Sequence, residues 1–200
     1  MRSTRRPSFL PALLVAALSA GCGVSSDRDA ELAYRGLDLA VSRALDLGFD
    51  GFNAANSANI PTQEGEGDVA GTMTVTGQVD QGVSDNKEMR LDITLEGYQD
   101  LADVDEDAAI VALVYDTGEH PAASLDVSLR DIPDGTLDGV LLGTFELSGD
   151  LTGAVTLDLA LAGPIEDDGT GGVQRVDGST QVVGTATNAE GAVFEIDLTR

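Results

Sequence analysis

From residue 69 to residue 198 the apolar residues of this chain recur at every second position, a period that suits strands with one buried and one wet face. Val69, Met73, Val75 and Val79 alternate with Thr72, Thr74, Thr76 and Gln78; Met89, Leu91, Ile93 and Leu95 alternate with Arg90, Asp92, Thr94 and Glu96. The same reading places further strands at 110–115, 125–130, 140–147, 154–162, 180–187 and 193–198, about eight in all. Turn residues separate them, as in Pro133-Asp134-Gly135, Ser148-Gly149-Asp150, Asp167-Asp168-Gly169 and Asn188-Ala189-Glu190-Gly191. Connections this short favour an all-β antiparallel meander, closed as a barrel or strongly curved.

Ahead of the strands the period is different. Tyr34, Leu37, Val41, Ala44, Leu45, Phe52 and Ala55 recur at helical spacing, opposite Glu31, Arg35, Asp38, Ser42, Asp46, Asp50 and Asn53. This predicts one amphipathic helix over 29–60, capped by Ser26 or Asp27, bent at Gly48 or Gly51, and finished before Pro61. Its acidic polar face argues against lipid contact, so its apolar stripe is expected to cover the sheet. Residues 61–67 read as a loop, and 61–200 as the β-sheet domain.

Alternation alone would also fit a transmembrane barrel, but the chain has no Trp and only 4% aromatic residues, too few for the girdles such barrels carry. A lipocalin-like carrier of an apolar ligand is the alternative reading. Val75, Ile93, Val127, Leu157 and Leu159 would line its interior, and the same residues serve equally as plain core. Gly67 to Val75 matches Gly149 to Leu157 closely enough to suggest a duplicated unit or a shared hairpin geometry.

The charge is −24, from 11 basic and 35 acidic residues. That balance excludes nucleic acid, whose binding depends on clustered Lys and Arg. Solubility of a wet-faced sheet accounts for most of the acids. The densest cluster, Asp103, Asp105, Glu106 and Asp107, begins like a calcium loop but has Ala108 where the turn needs Gly and Val114 where the loop needs its bidentate Glu.

No catalytic, cofactor-binding or metal-ligating set emerges. His120 is the sole histidine and reads as an exposed turn residue beside Pro121. One His and one Cys cannot supply a zinc site, and Gly65-Glu66-Gly67 runs into a strand instead of opening a nucleotide-binding helix. Carboxylate pairs are so abundant that none identifies an acid and base. A non-catalytic protein is expected.

The amino-terminal segment is more specific. A basic head (Arg2, Arg5, Arg6), an apolar stretch from Phe9 to Leu18 and then small residues have the three-part layout of an export signal, too short for a permanent span. Its end, Leu18-Ser19-Ala20-Gly21-Cys22, resembles the lipobox of bacterial lipoproteins, although Ser19 stands where that family usually has Leu. The resemblance covers 1–23 and implies a signal peptide at 1–21, with Cys22 lipidated and 22–28 a short tether to the membrane. It also implies an envelope protein, sorted to the outer membrane because Gly23, and not Asp, follows the cysteine. Removing three of the 11 basic residues and none of the 35 acidic ones would take the charge from −24 to −27. Cys22 is the only cysteine, so no disulfide can form within the chain and stability has to come from burial.

Overall fold

The computed structural model describes residues 27–100 and 112–200. Two helices, α1 (Asp27–Arg35) and α2 (Asp38–Ala54), precede ten strands. These are β1 (Gln63–Glu66), β2 (Ala70–Val79), β3 (Lys87–Gln99), β4 (Leu113–Asp116), β5 (Ala123–Arg130), β6 (Thr136–Gly149), β7 (Gly153–Asp167), β8 (Val173–Arg175), β9 (Gln181–Asn188) and β10 (Val193–Thr199). All pairings are antiparallel, and the strands form one sheet.

The expected meander is present, with seven of the eight anticipated strands in place; of the other, 110–115, residues 110 and 111 lie outside the described residues and 113–115 fall in β4. Its lanes run β1, β2, β3, then β4 and β5 together, then β6, β7, β9 and β10. The shared lane arises because β3 and β6 are long. β5 fills the space between their Lys87–Ile93 and Thr136–Leu142 portions, while β4 occupies the rest, pairing Tyr115 with Tyr98 and with Leu147. A turn closed by the His120 amide on the Thr117 carbonyl separates the two pieces, and Thr117 Oγ1 receives the Leu95 amide at 2.8 Å to keep the lane attached to β3.

Two short strands were not anticipated. Gln63-Glu64-Gly65-Glu66 has no apolar alternation and becomes β1 through pairing with Thr72–Val75. Val173-Gln174-Arg175 forms β8 on the end of β7, where the Asn53 side-chain amide donates to the Val173 carbonyl and accepts its N–H, both at 2.9 Å.

The single predicted helix is two. Leu37 N–H bonds the Tyr34 carbonyl at 2.7 Å in place of the Ala33 carbonyl, which is taken instead by the Tyr115 hydroxyl, also at 2.7 Å. Gly36 is essential to this arrangement, because a Cβ there would run into the Tyr115 hydroxyl. The break therefore falls at Gly36, and not at Gly48 or Gly51, which lie within α2 against Leu91 and Ile60. Ser26, the other proposed cap, lies outside the described residues, and Asp27 is the first residue of α1.

The break also resets the helix phase. Asp38, Val41, Ala44, Leu45, Gly48 and Phe49 form the buried stripe of α2, so Asp38 leaves the wet face assigned to it and Phe49 replaces the half-buried Phe52 as the main aromatic anchor. The helix ends at Ala54 instead of 60. Ala55 is already extended, and the chain then runs beside β2, with Asn59 bridging Gln78 and Ile60 buried.

The sheet curves around the helices. α1 packs on β7, β9 and β10, and α2 on β1, β2, β3 and β8. Large side chains such as Leu91, Leu125, Leu129, Val155 and Leu159 point inward and are buried, while Asp92, Asp126, Asp138 and Asp158 point outward. Polar-out and apolar-in is the reverse of a lipid-facing barrel wall. Two inward positions have no side chain: Gly77 and Gly184 adopt φ of 145° and 150°, and a Cβ on either would strike the backbone of the neighbouring strand. The two similar sequence segments share a hairpin geometry, each leading from a turn into a strand with Met73 and Val75, or Val155 and Leu157, facing the core.

Candidate functional site

The concave face of the sheet is filled. Leu37, Ala40, Val41 and Ala44 interlock with Met73, Ile93, Leu95, Leu141, Phe145 and Leu157 and leave a void of about 10 Å³. Sites for apolar ligands run to several hundred Å³. Val75, Ile93, Val127, Leu157 and Leu159, which could have lined a carrier pocket, are core residues, each no more than 2% exposed.

Polar chemistry is concentrated where helix and sheet meet, and all three tyrosines of the chain take part. Tyr115 of β4 holds the Ala33 carbonyl as described. Tyr34 of α1 donates to Asp38 Oδ1 at 3.1 Å, and Arg200 donates to Asp38 Oδ2, which links the helix break to the residue following β10. Burial raises the Tyr34 hydroxyl to a pKa of about 12, with the Arg200 charge pulling the other way. Tyr98 of β3 donates to Asp100 Oδ2 at 2.8 Å and accepts from Arg43 of α2.

Arg43 also reaches Asp100 Oδ1 at 3.0 Å and Asp68 Oδ1 at 2.8 Å, and its guanidinium lies over the Tyr98 ring. Asp100 in turn accepts the Asp68 amide, so one buried carboxylate ties α2, β3 and the turn before β2 together. Burial, then the hydrogen bond and negative charge of Asp100, push Tyr98 well above the ordinary phenol range. Burial works against the charge on Arg43, but its bonds to Asp100 and Asp68 outweigh that and hold it cationic. Sequence periodicity gave no sign of this cluster. The four-residue spacing of Tyr34 and Asp38 was the available signal for the other.

A groove of about 340 Å³ lies between α2 and the β7–β8 hairpin, lined by Asp46, Asp50, Asn53, Glu166, Asp168 and Arg175 among others. Its polar groups serve the hairpin itself. Arg175 bonds both oxygens of Asp46, at 2.5 and 3.1 Å, and Asp168 Oδ1 accepts the amides of Thr170 and Gly172. Those amides hold the Asp168 carboxyl below the usual carboxylate range. Among the described residues no three His, Cys, Asp or Glu are grouped to hold a metal ion.

His120 sits in its turn about one-third exposed, with Nε2 2.7 Å from Glu146 Oε1. Cys22 and the Asp103, Asp105, Glu106 and Asp107 cluster lie outside the described residues. No described helix is long and apolar enough to cross a membrane. No family model, no curated protein and no solved structure matches this chain.

Proposed function

We propose that the protein is an exported lipoprotein of the bacterial envelope, anchored through lipid on Cys22 and carried to the outer membrane, whose domain is a non-catalytic binding or structural module. The observation that carries the reading is the sequence Leu18-Ser19-Ala20-Gly21-Cys22 at the end of a basic and then apolar leader, with Cys22 the sole cysteine. The closely filled interior supports a module that works through its surface and counts against the lipocalin-like alternative, whose ligand would have to displace α2.

Expression of the full chain and of Cys22→Ala in a Gram-negative host, with a palmitate analogue and membrane fractionation, tests the anchor. The native chain should carry label and sediment with outer membrane, and Cys22→Ala should do neither. Equal labelling or equal retention of the two would overturn the assignment.

A further inference from the structure

Among the described residues, the last lane of the sheet is an open edge. Thr180 and Arg200 exchange both backbone hydrogen bonds at 2.7 Å, and Asn188 N–H bonds the Ala192 carbonyl. The antiparallel alternation between these points directs the N–H and C=O groups of Val193, Glu195, Asp197 and Thr199 away from β9. No described strand pairs with them. Native edges are usually blunted by proline, a bulge, brevity or charge. β10 has seven residues in unbroken register with β9 and contains no proline, so charge is its one safeguard.

That charge has a single sign. Glu195 and Asp197 are exposed on the outer face at successive outward positions, neither β9 nor β10 contains a basic residue, and neither carboxylate has an ion-pair or hydrogen-bond partner among the described residues. Glu88 and Asp80 on the same outer face are paired, with Arg130 and Arg90. Asp92, Asp126, Asp138 and Asp158 lie on interior strands whose backbone groups are already bonded on both sides, and Glu195 and Asp197 differ from them in flanking open backbone groups. On the opposite face of the same edge, Phe194 and Leu198 are half-buried and leave apolar surface beside α1.

We propose that β10 is the docking edge for an extended segment of another protein in which basic and apolar residues alternate. Such a strand would hydrogen-bond to the backbone at Val193, Glu195, Asp197 and Thr199. Its basic side chains would stand opposite Glu195 and Asp197, and its apolar ones would extend the layer of Phe194 and Leu198. A second copy of this chain does not fit, because antiparallel β10 pairs would set Glu195 against Asp197. The proposal rests on the reading of the domain as a binding module and is independent of the anchor at Cys22.

The test uses the full chain in detergent with a fluorescent peptide of alternating Lys and Val, a copy of the same charge with alternate backbone amides methylated, and a Glu and Val version. The Lys and Val peptide should bind and protect the amides of Glu195 and Asp197 from hydrogen exchange. Backbone methylation, or Glu195→Lys with Asp197→Lys, should weaken it by about tenfold or more. Asp92→Lys with Asp138→Lys, an equal charge change elsewhere on the outer face, should weaken it far less. Equal binding of the methylated peptide, equal loss in the two charge variants, absence of binding, or unprotected β10 amides would each overturn the proposal. Because the palmitate labelling of Cys22 is read separately, failure here leaves the anchor standing, and the reverse.

Discussion

The helices meet the sheet in two places built on opposite principles. Where α1 and the start of α2 face β3, β4 and Arg200, the contacts are polar groups sealed in the core: Tyr34, Tyr98 and Tyr115 are each no more than 1% exposed, and their hydroxyls reach a carboxylate, a carboxylate and a backbone carbonyl. Where the end of α2 faces β8, the contacts are also polar but open to water on the helix side, with the Asp46 side chain 52% exposed and its partner Arg175 11%. Burial decides what each is worth. An enclosed donor or acceptor that loses its partner forfeits its solvation as well as its bond, while an exposed one recovers a water.

The largest test of that contrast is alkaline pH, which acts on all three hydroxyls together. Each tyrosine has a folded pKa above its unfolded value of about 10, Tyr34 reaching about 12 and the other two lying higher. Their contribution to stability is therefore complete below pH 10 and is lost as pH rises through and beyond 12. Phenolate absorbance should appear in one cooperative step together with loss of the circular dichroism of the sheet. Separate titration near pH 10 with the sheet intact would show that the sealed region is not sealed.

Arg43→Ala comes next. It strips the cation from Asp100, whose side chain is 1% exposed, and removing one partner of a buried pair costs about 3–5 kcal/mol. Denaturant melts should show that loss, with partial recovery in Arg43→Ala combined with Asp100→Asn. Tyr115→Phe keeps the ring and leaves the Ala33 carbonyl unpaired, for about 1–3 kcal/mol. Its amide exchange should rise first around residues 33–37. At the open contact, Asp46→Asn should cost less than about 1 kcal/mol, because the Asp46 carboxylate is half exposed and the amide oxygen that replaces it can still accept from Arg175, whose side chain is 11% exposed. A cost equal to that of Tyr115→Phe would erase the distinction between the two regions.

The same contrast separates what the sequence reveals from what it hides. Eight strands of the sheet can be read from alternation because burial of one face acts on each strand locally. β1 and β8 cannot, since Gln63-Glu64-Gly65-Glu66 and Val173-Gln174-Arg175 take their conformation from partners elsewhere in the chain. The helix break escaped for the same reason: local propensity points to Gly48 and Gly51, and the deciding contact is a hydroxyl 82 positions away. Asp38 looks like a solvent residue in any helical projection that runs through Gly36 unbroken. Once the helix restarts at 38, it falls on the inner stripe and needs the Tyr34 and Arg200 partners it finds. Of the candidate sites, the proposed anchor at Cys22 rests on its neighbours in sequence alone, whereas the β10 edge depends on strand order, which alternation does not encode.

The contact between Asp38 and Arg200 spans 162 positions, and the Tyr115 contact with Ala33 spans 82. Both join the earliest helices to strands made much later, so the order of synthesis opposes the order of assembly. A chain delivered from its amino-terminal side, whether from a ribosome or through a membrane pore, exposes α1 and α2 long before their partners exist, and two helices this short are marginal alone. Nucleating long-range pairings is slow, and the core stays open until they form. The layer between the helices and the sheet can therefore close only after Tyr115 and Arg200 have been made.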